Sequence, residues 1–293
     1  MECSEPIGVV GTGRLAQALG RLLRERGEPV ACVAGRDVRR TRAAAEFIGG
    51  DVAPVGYEEL ARRASRFLIA VSDGALGPVV QMLSTSAAPG GIALHTCGAK
   101  ELAEFAPLAQ IGFSCGTLHP LQTIADPLQG TTALPGAFFA VSGDGRAMEW
   151  ARRIAESLGG RTVGIVPGVR PLYHAAAVMA SNYVVALLDA AQELMAMATD
   201  GGTDAALRAL APLARAALEN ALAKGPAAAL TGPIERGDTG TVALHLGALT
   251  VVPERIRALY CAGGLQALDL ARRKGLPDGT AADMEILLKE RVQ

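Results

Sequence analysis

The chain has 293 residues, 50% of them hydrophobic and only 4% aromatic, with 28 Lys and Arg against 29 Asp and Glu and a formal net charge of -1. At about 100 to 200 residues per domain, this length calls for two domains, each able to bury its own core. An interspersed, near-neutral charge pattern without a stripe of Lys and Arg offers no field for a phosphate backbone, which argues against nucleic acid as a partner.

The opening Met1-Glu2-Cys3-Ser4-Glu5-Pro6 has no basic segment followed by an apolar one, so no secretory signal is read there and a cytoplasmic protein is expected. Five widely spaced cysteines (Cys3, Cys32, Cys97, Cys115, Cys261) without a CxxC pair fit reduced thiols rather than a disulfide frame or zinc site. Cys97 and Cys115 lie near the polar motifs and could be nucleophiles, although a free Cys usually serves as a small core residue. The most apolar stretch, Ala175 to Ala198, is interrupted by Asn182, Asp189, Gln192 and Glu193 short of the ~20 apolar residues of a membrane span. It is expected to be a buried helix of a soluble protein, with no membrane partner.

In chain order, short apolar runs alternate with helical stretches as in a parallel sheet covered by helices. The expected strands are Ile7 to Val10, Val30 to Ala34, Phe67 to Val71, Gly91 to Leu94, Gly112 to Leu118, Phe138 to Ser142 and Thr162 to Val166. Their carboxyl ends are mostly polar, which is where open α/β sheets hold ligands. After Pro171 the strand-like runs nearly vanish and Ala- and Leu-rich helix takes over. The segment Pro167-Gly168-Val169-Arg170-Pro171 is the natural boundary, giving an α/β domain over 1–168 and an all-helical domain over 169–293.

The first strand runs into Gly11-Thr12-Gly13-Arg14-Leu15-Ala16, a G-x-G-x-x-A motif that opens a helix. Gly11 permits a tight turn, Gly13 lets the backbone approach a pyrophosphate, and Ala16 allows close helix-on-strand packing. Leu15, Ala18, Leu19, Leu22 and Leu23 hold helical spacing and Gly27 stops the helix. The competing reading is an ordinary glycine turn. At the end of the second strand, Arg36 stands where a 2′-phosphate would sit and favours NADP, with NAD the alternative because Asp37 follows it. Asp37 could instead cap the helix from Val38. Arg39 and Arg40 could add to a phosphate pocket or form a solvated helix face. Val71, Ser72, Asp73 and His95, at later strand ends, complete the expected cofactor cleft, with Asp73 alternatively a helix cap.

The four histidines, His95, His119, His174 and His245, all fall in distinctive polar islands, where each could also simply brace packing. None has a carboxylate or thiol at ligand spacing and none forms an i, i+4 pair, so no metal site is expected. On a straight helix Ser181 nearly eclipses His174 two turns on, while Asn182 is displaced by about 80°. This polar line among Ala, Val and Met needs partners, which a substrate or an interhelical contact could supply. A second island, Thr231 to Thr241, carries Arg236, suited to clamp a carboxylate, and Asp238, suited to orient a histidine; alternatively the two pair with each other.

With its glycine motif followed by a helical half, the chain resembles the superfamily that joins a Rossmann domain to an all-helical domain of the 6-phosphogluconate dehydrogenase type, including ketopantoate reductase, 3-hydroxyisobutyrate dehydrogenase and pyrroline-5-carboxylate reductase. Gly116-Thr117-Leu118-His119-Pro120-Leu121-Gln122, Tyr173-His174-Ala175-Ala176-Ala177-Val178-Met179-Ala180-Ser181-Asn182-Tyr183 and Leu230-Thr231-Gly232-Pro233 with Arg236-Gly237-Asp238 are similar to a bacterial Rossmann-like family whose C-terminal domain has no known function. The resemblance implies a doubly wound, mostly parallel sheet followed by the helical domain, a catalytic Lys or similar donor at the start of the long helix, and Asn one or two turns later. His174 stands in place of that Lys and Asn182 fits the Asn. The function so implied is an NADP-dependent oxidoreductase moving hydride to or from a small C=O or C=N substrate in the cleft between the domains. His174 is the general acid/base and Asn182 a catalytic positioning group, while His119, Ser181, Arg236 and Asp238 bind substrate. A homodimer is expected from the superfamily. The rivals are a non-catalytic NADP-binding sensor or scaffold and, on the fold alone, a prephenate- or arogenate-type dehydrogenase.

Overall fold

The computed structural model describes residues 5–289, which form two compact units, one through Ser181 and one from Asn182 onward. Cys3 and the rest of the first four residues lie outside the described part.

In the first unit the chain alternates strand and helix. β1 (Ile7–Val10), α1 (Arg14–Glu25), β2 (Val30–Ala34), α2 (Val38–Ile48), β3 (Ala53–Val55), α3 (Tyr57–Arg63) and β4 (Arg66–Ile69) come first. Then follow α4 (Leu76–Ser84), β5 (Ile92–His95), α5 (Ala106–Gln110), β6 (Ser114–Pro120), α6 (Pro127–Ala133), β7 (Phe138–Gly143), α7 (Gly145–Ser157), β8 (Arg161–Gly164) and α8 (Arg170–Ala180). One eight-stranded sheet has the order β3-β2-β1-β4-β5-β6-β7-β8, and every pair is parallel except β6 with β7. This is the doubly wound α/β arrangement expected from the sequence, with its reversal of strand order between β1 and β4. The strands read as near-continuous apolar runs because helices cover both faces. One face packs around Leu19, Leu23, Trp150 and Ile154, the other around Phe67, Leu76, Phe105 and Leu108. Packing is tight enough that a Cβ at Gly8 would lie 2.7 Å from Leu60, which lets α3 settle on β1.

The sequence does not announce β3. Its Ala53-Pro54-Val55 pairs only with β2 at the sheet edge, where a proline costs no ladder hydrogen bond on the open side.

The second unit is helical: α9 (Asn182–Ala198), α10 (Gly202–Lys224), α11 (Pro226–Ala229), α12 (Thr239–Ala248), α13 (Glu254–Arg273) and α14 (Asp278–Lys289). Its core is Val242, Leu246, Cys261, Leu268, Ala281, Met284 and Leu288, from α12, α13 and α14. Gly264 lets Leu288 approach α13, since a Cβ there would sit 2.8 Å away.

The stretch after Ala175 departs from the expected buried helix. No residue of α9 is buried, and only Arg170 is buried in α8. Leu172, Met179, Tyr183, Val185 and Met197 are all more than half exposed. By length and composition the helical stretch Arg170–Ala198 does pass for a membrane span, with a mean hydropathy of 1.3 over its most apolar window. Average apolarity does not reveal what covers a helix: α10 packs against α9 without fully burying any of its residues. The helix is also not straight: Ser181 takes φ -128° and ψ -72°, and its hydroxyl donates to the Ala177 carbonyl at 2.7 Å.

Candidate active site

The glycine turn after β1 is shaped by contacts rather than by composition. Gly11 has φ +119°, its N–H donates to the Ala34 carbonyl at 2.8 Å, and a Cβ would fall 2.2 Å from the Ala70 carbonyl oxygen. Only glycine fits there. Gly13 differs: a Cβ would meet nothing within 4 Å, and as N-cap of α1 it offers no side-chain cap. The first amides of α1 thus open onto free space, the arrangement that receives a phosphate. Gly35, at the end of β2, gives room to Thr12, whose methyl would be 2.5 Å from an added Cβ.

These residues line a cavity of about 470 Å³ with Arg36, Asp37, Arg40, Tyr57, Ala70, Val71, Ser72 and Ala75. It lies at the carboxyl ends of β1, β2 and β4, where the strand order reverses. Gly11, Thr12, Gly13, Arg36, Val71 and Ser72 thus come together as expected. Arg14 and Leu15 start α1 beside the cavity without lining it, and exposed Asp73 begins a short 3-10 turn without capping it. Asp37 is a cap: its carboxylate accepts the Arg40 N–H at 2.8 Å. Arg40 and Tyr57 are cavity residues, and no motif points to Tyr57.

His95 is not in this cavity. It ends β5 fully buried beside Phe105, and its Nδ1 accepts the Cys97 N–H at 3.2 Å, which places the ring proton on Nε2. Burial, reinforced by Arg170 and His119, pushes its pKa down to about 3. Cys97 and Cys115 are buried thiols pushed up to about 12, chiefly by burial, so they suit the core role and not the nucleophilic one.

Around the ends of β5, β6 and β7 a second group of polar side chains gathers, organised by a residue the sequence gives no reason to single out. Arg170, in the Pro-Gly-rich segment that reads as a linker, is 1% exposed. Its Nη1 donates to Thr117 Oγ1 and Ser142 Oγ, both at 3.0 Å, and its Nη2 to the Cys97 carbonyl at 3.2 Å. Its backbone N–H donates to Glu101 at 3.2 Å, which satisfies one of the open amides at the start of α8. Nε has no partner, and burial lowers the guanidinium pKa. This anchor sets the next turn of α8 against β6. Tyr173 Oη and His119 Nδ1 are 2.5 Å apart, and the His119 and His174 rings meet edge to face at 5.6 Å. Both rings crowd onto Gly98: a Cβ there would lie 2.2 Å from His174 Nδ1 and 2.9 Å from His119 Nε2. His174 Nδ1 is buried without a hydrogen bond among the described residues.

His119 and His174 are therefore neighbours, as a shared site requires, and Tyr173, Arg170 and Gly98 complete the group. Ser181 closes α8, while Asn182 starts α9 in the second unit. Asp238 of that unit N-caps α12, its carboxylate accepting from the Thr241 N–H at 2.9 Å and hydroxyl at 2.7 Å. Those bonds hold its pKa below the usual range. Arg236 is exposed, and among the described residues it forms no ion pair with Asp238. His245 Nδ1 lies 2.8 Å from Tyr260 Oη. Among the described residues no three His, Cys, Asp or Glu side chains converge as metal ligands.

Residues 3–120 match the Rossmann-like domain family, and residues 137–267 match a domain of unknown function, DUF2520. No curated protein matches the sequence. Solved structures share the fold. A protein described as an NADP oxidoreductase from Bacteroides fragilis is 20% identical with a TM-score of 0.71, over 92% of this chain and 97% of that one. The reductive aminase of Aspergillus terreus, bound to NADPH and ethyl-5-oxohexanoate, is 15% identical with a TM-score of 0.57, over 99% and 94%. A pyrroline-5-carboxylate reductase from Coxiella burnetii is 13% identical with a TM-score of 0.57, over 98% and 97%. The chain thus carries a Rossmann-like region followed by a DUF2520 region.

Proposed function

We propose that this chain is an NADP-dependent oxidoreductase that moves hydride to or from the carbon of a small C=O or C=N group. The observation that carries the reading is the cavity at the β1–β4 reversal, with the open start of α1 at one side and Arg36 and Arg40 at the other. Gly13 leaves space that nothing in the chain needs, which suits a pyrophosphate against the α1 amides. Arg36 and Arg40 supply paired donors for a 2′-phosphate, while one oxygen of the Asp37 carboxylate is engaged by the Arg40 amide as the cap of α2. Bound NADPH supplies the hydride. His174, with its Nδ1 sealed against Gly98, exchanges the proton from Nε2. The NADPH-bound aminase and the pyrroline-5-carboxylate reductase of this fold lend support for reduction at C=O or C=N carbon.

The same reading expects a homodimer, with exposed leucines of α9 and α10 such as Leu187, Leu218 and Leu222 as candidate contacts.

The test is NADPH binding followed by NADPH consumption with keto acids, aldehydes, ketones and cyclic imines. His174→Ala is expected to keep NADPH affinity and lose turnover. Equal loss of both would remove the proton-transfer role, and binding without consumption by any substrate group would favour a sensor.

A further inference from the structure

We propose that His119 donates the hydrogen bond to the substrate's reacting oxygen and that Tyr173 is the positioning residue that fixes His119 in the tautomer able to donate, which makes a C=O compound the substrate class. This rests on the reading of the chain as a hydride-transferring oxidoreductase.

Tautomer assignment follows from hydrogen-bond accounting. Tyr173 Oη lies 2.5 Å from His119 Nδ1, its one side-chain hydrogen-bond partner among the described residues, and on this proposal its proton points to that nitrogen. His119 must then carry its own proton on Nε2. Among the described residues Nε2 makes no hydrogen bond, and it is not one of the sealed polar atoms, so this N–H is open to a ligand.

Charge decides what that N–H serves. Arg170 holds Thr117, two residues before His119 on the same face of β6, and its guanidinium lies 5.9 Å from the Tyr173 ring centre. The titratable and charged groups that act on His119 are Tyr173, His174 and Arg170 from α8, Asp73 from the turn after β4, and His95 from β5. Burial, with His174 and Arg170, pushes the His119 pKa down to about 4, outweighing the opposing Asp73. The ring is a neutral donor at neutral pH, comparable to neutral imidazoles that polarise carbonyl groups elsewhere. A neutral donor beside a buried guanidinium stabilises an oxygen that gains negative charge as hydride reaches its carbon. The same field opposes a protonated imine, which is positive before hydride arrives.

Long-range proton–nitrogen NMR on histidine-labelled protein, together with carbonyl-reduction kinetics, tests the assignment. Expected is His119 in the Nε2–H form. Tyr173→Phe should divide His119 between tautomers and lower kcat about tenfold or more, and His119→Phe should lower it about 100- to 1000-fold, both with unchanged NADPH affinity. Ketones should be preferred to matched cyclic imines. A wild-type Nδ1–H tautomer, or Tyr173→Phe with wild-type tautomer and turnover, would overturn the Tyr173 role, and preference for imines would overturn the substrate class. If NADPH binds and nothing is reduced, the functional reading fails and the substrate role of His119 fails with it, while the spectrum still decides the Tyr173–His119 geometry.

Discussion

Gly98→Ala isolates the histidine pair without removing a functional group. The added Cβ would sit 2.2 Å from His174 Nδ1, 2.7 Å from its Cε1 and 2.9 Å from His119 Nε2, against ordinary contact from 3.4 Å. The His174 ring must therefore retreat by about 1 Å or more, and His119 by about half as much. His174 is half-buried at the start of α8, so its ring can swing outward, and the stability cost is of the order of 1–3 kcal/mol. Misplacing a reacting group by about 1 Å costs about 100-fold in rate. The expected result is an enzyme that melts as a cooperative unit, binds NADPH as before and turns over about 100-fold more slowly. Thermal unfolding, NADPH fluorescence titration and steady-state rates measure the three quantities separately. Wild-type turnover in a folded Gly98→Ala protein would refute the placement of chemistry at His119 and His174, and a matching loss of NADPH affinity would mean that the cofactor cavity had been damaged instead.

Stability should fall in acid through His95. Its pKa is 6.5 in the unfolded chain and about 3 when folded, so between those values the unfolded state binds the extra proton and stability declines as pH drops. The slope from this group is about 1.4 kcal/mol per pH unit. Denaturant titrations of wild type and His95→Asn at a series of pH values should differ by that slope, and parallel curves would mean that His95 is not held neutral by burial. Arg36→Ala should weaken NADPH binding about 10- to 100-fold and leave NADH binding nearly unchanged, measured by fluorescence titration. Equal losses for both cofactors would place Arg36 away from the 2′-phosphate.

The first half of the molecule is legible in its sequence because parallel strands buried on both faces leave unbroken apolar runs, and because Gly11 marks a backbone that no other residue could follow while Gly13 leaves space beside the start of α1. Strand β3 escapes because three residues at a sheet edge, one of them Pro54, carry no periodicity. The long Ala-rich helix misleads for a related reason: composition records how apolar a helix is and not which element lies against it. His119 and His174 stand out as residue types, 55 positions apart, yet nothing in that spacing says that they touch.

The sequence by itself determined the class of fold and the glycine turn, since these depend on local pattern and backbone conformation. Only the tertiary structure decided that Arg170 is an anchor and not a linker residue, that Gly98 seats two imidazoles, and that Tyr173 meets His119. Those roles arise from strands β5, β6 and β7 meeting α8 in space. A buried guanidinium takes its meaning from the hydroxyls and carbonyl it binds, and these lie 28 to 73 positions away along the chain.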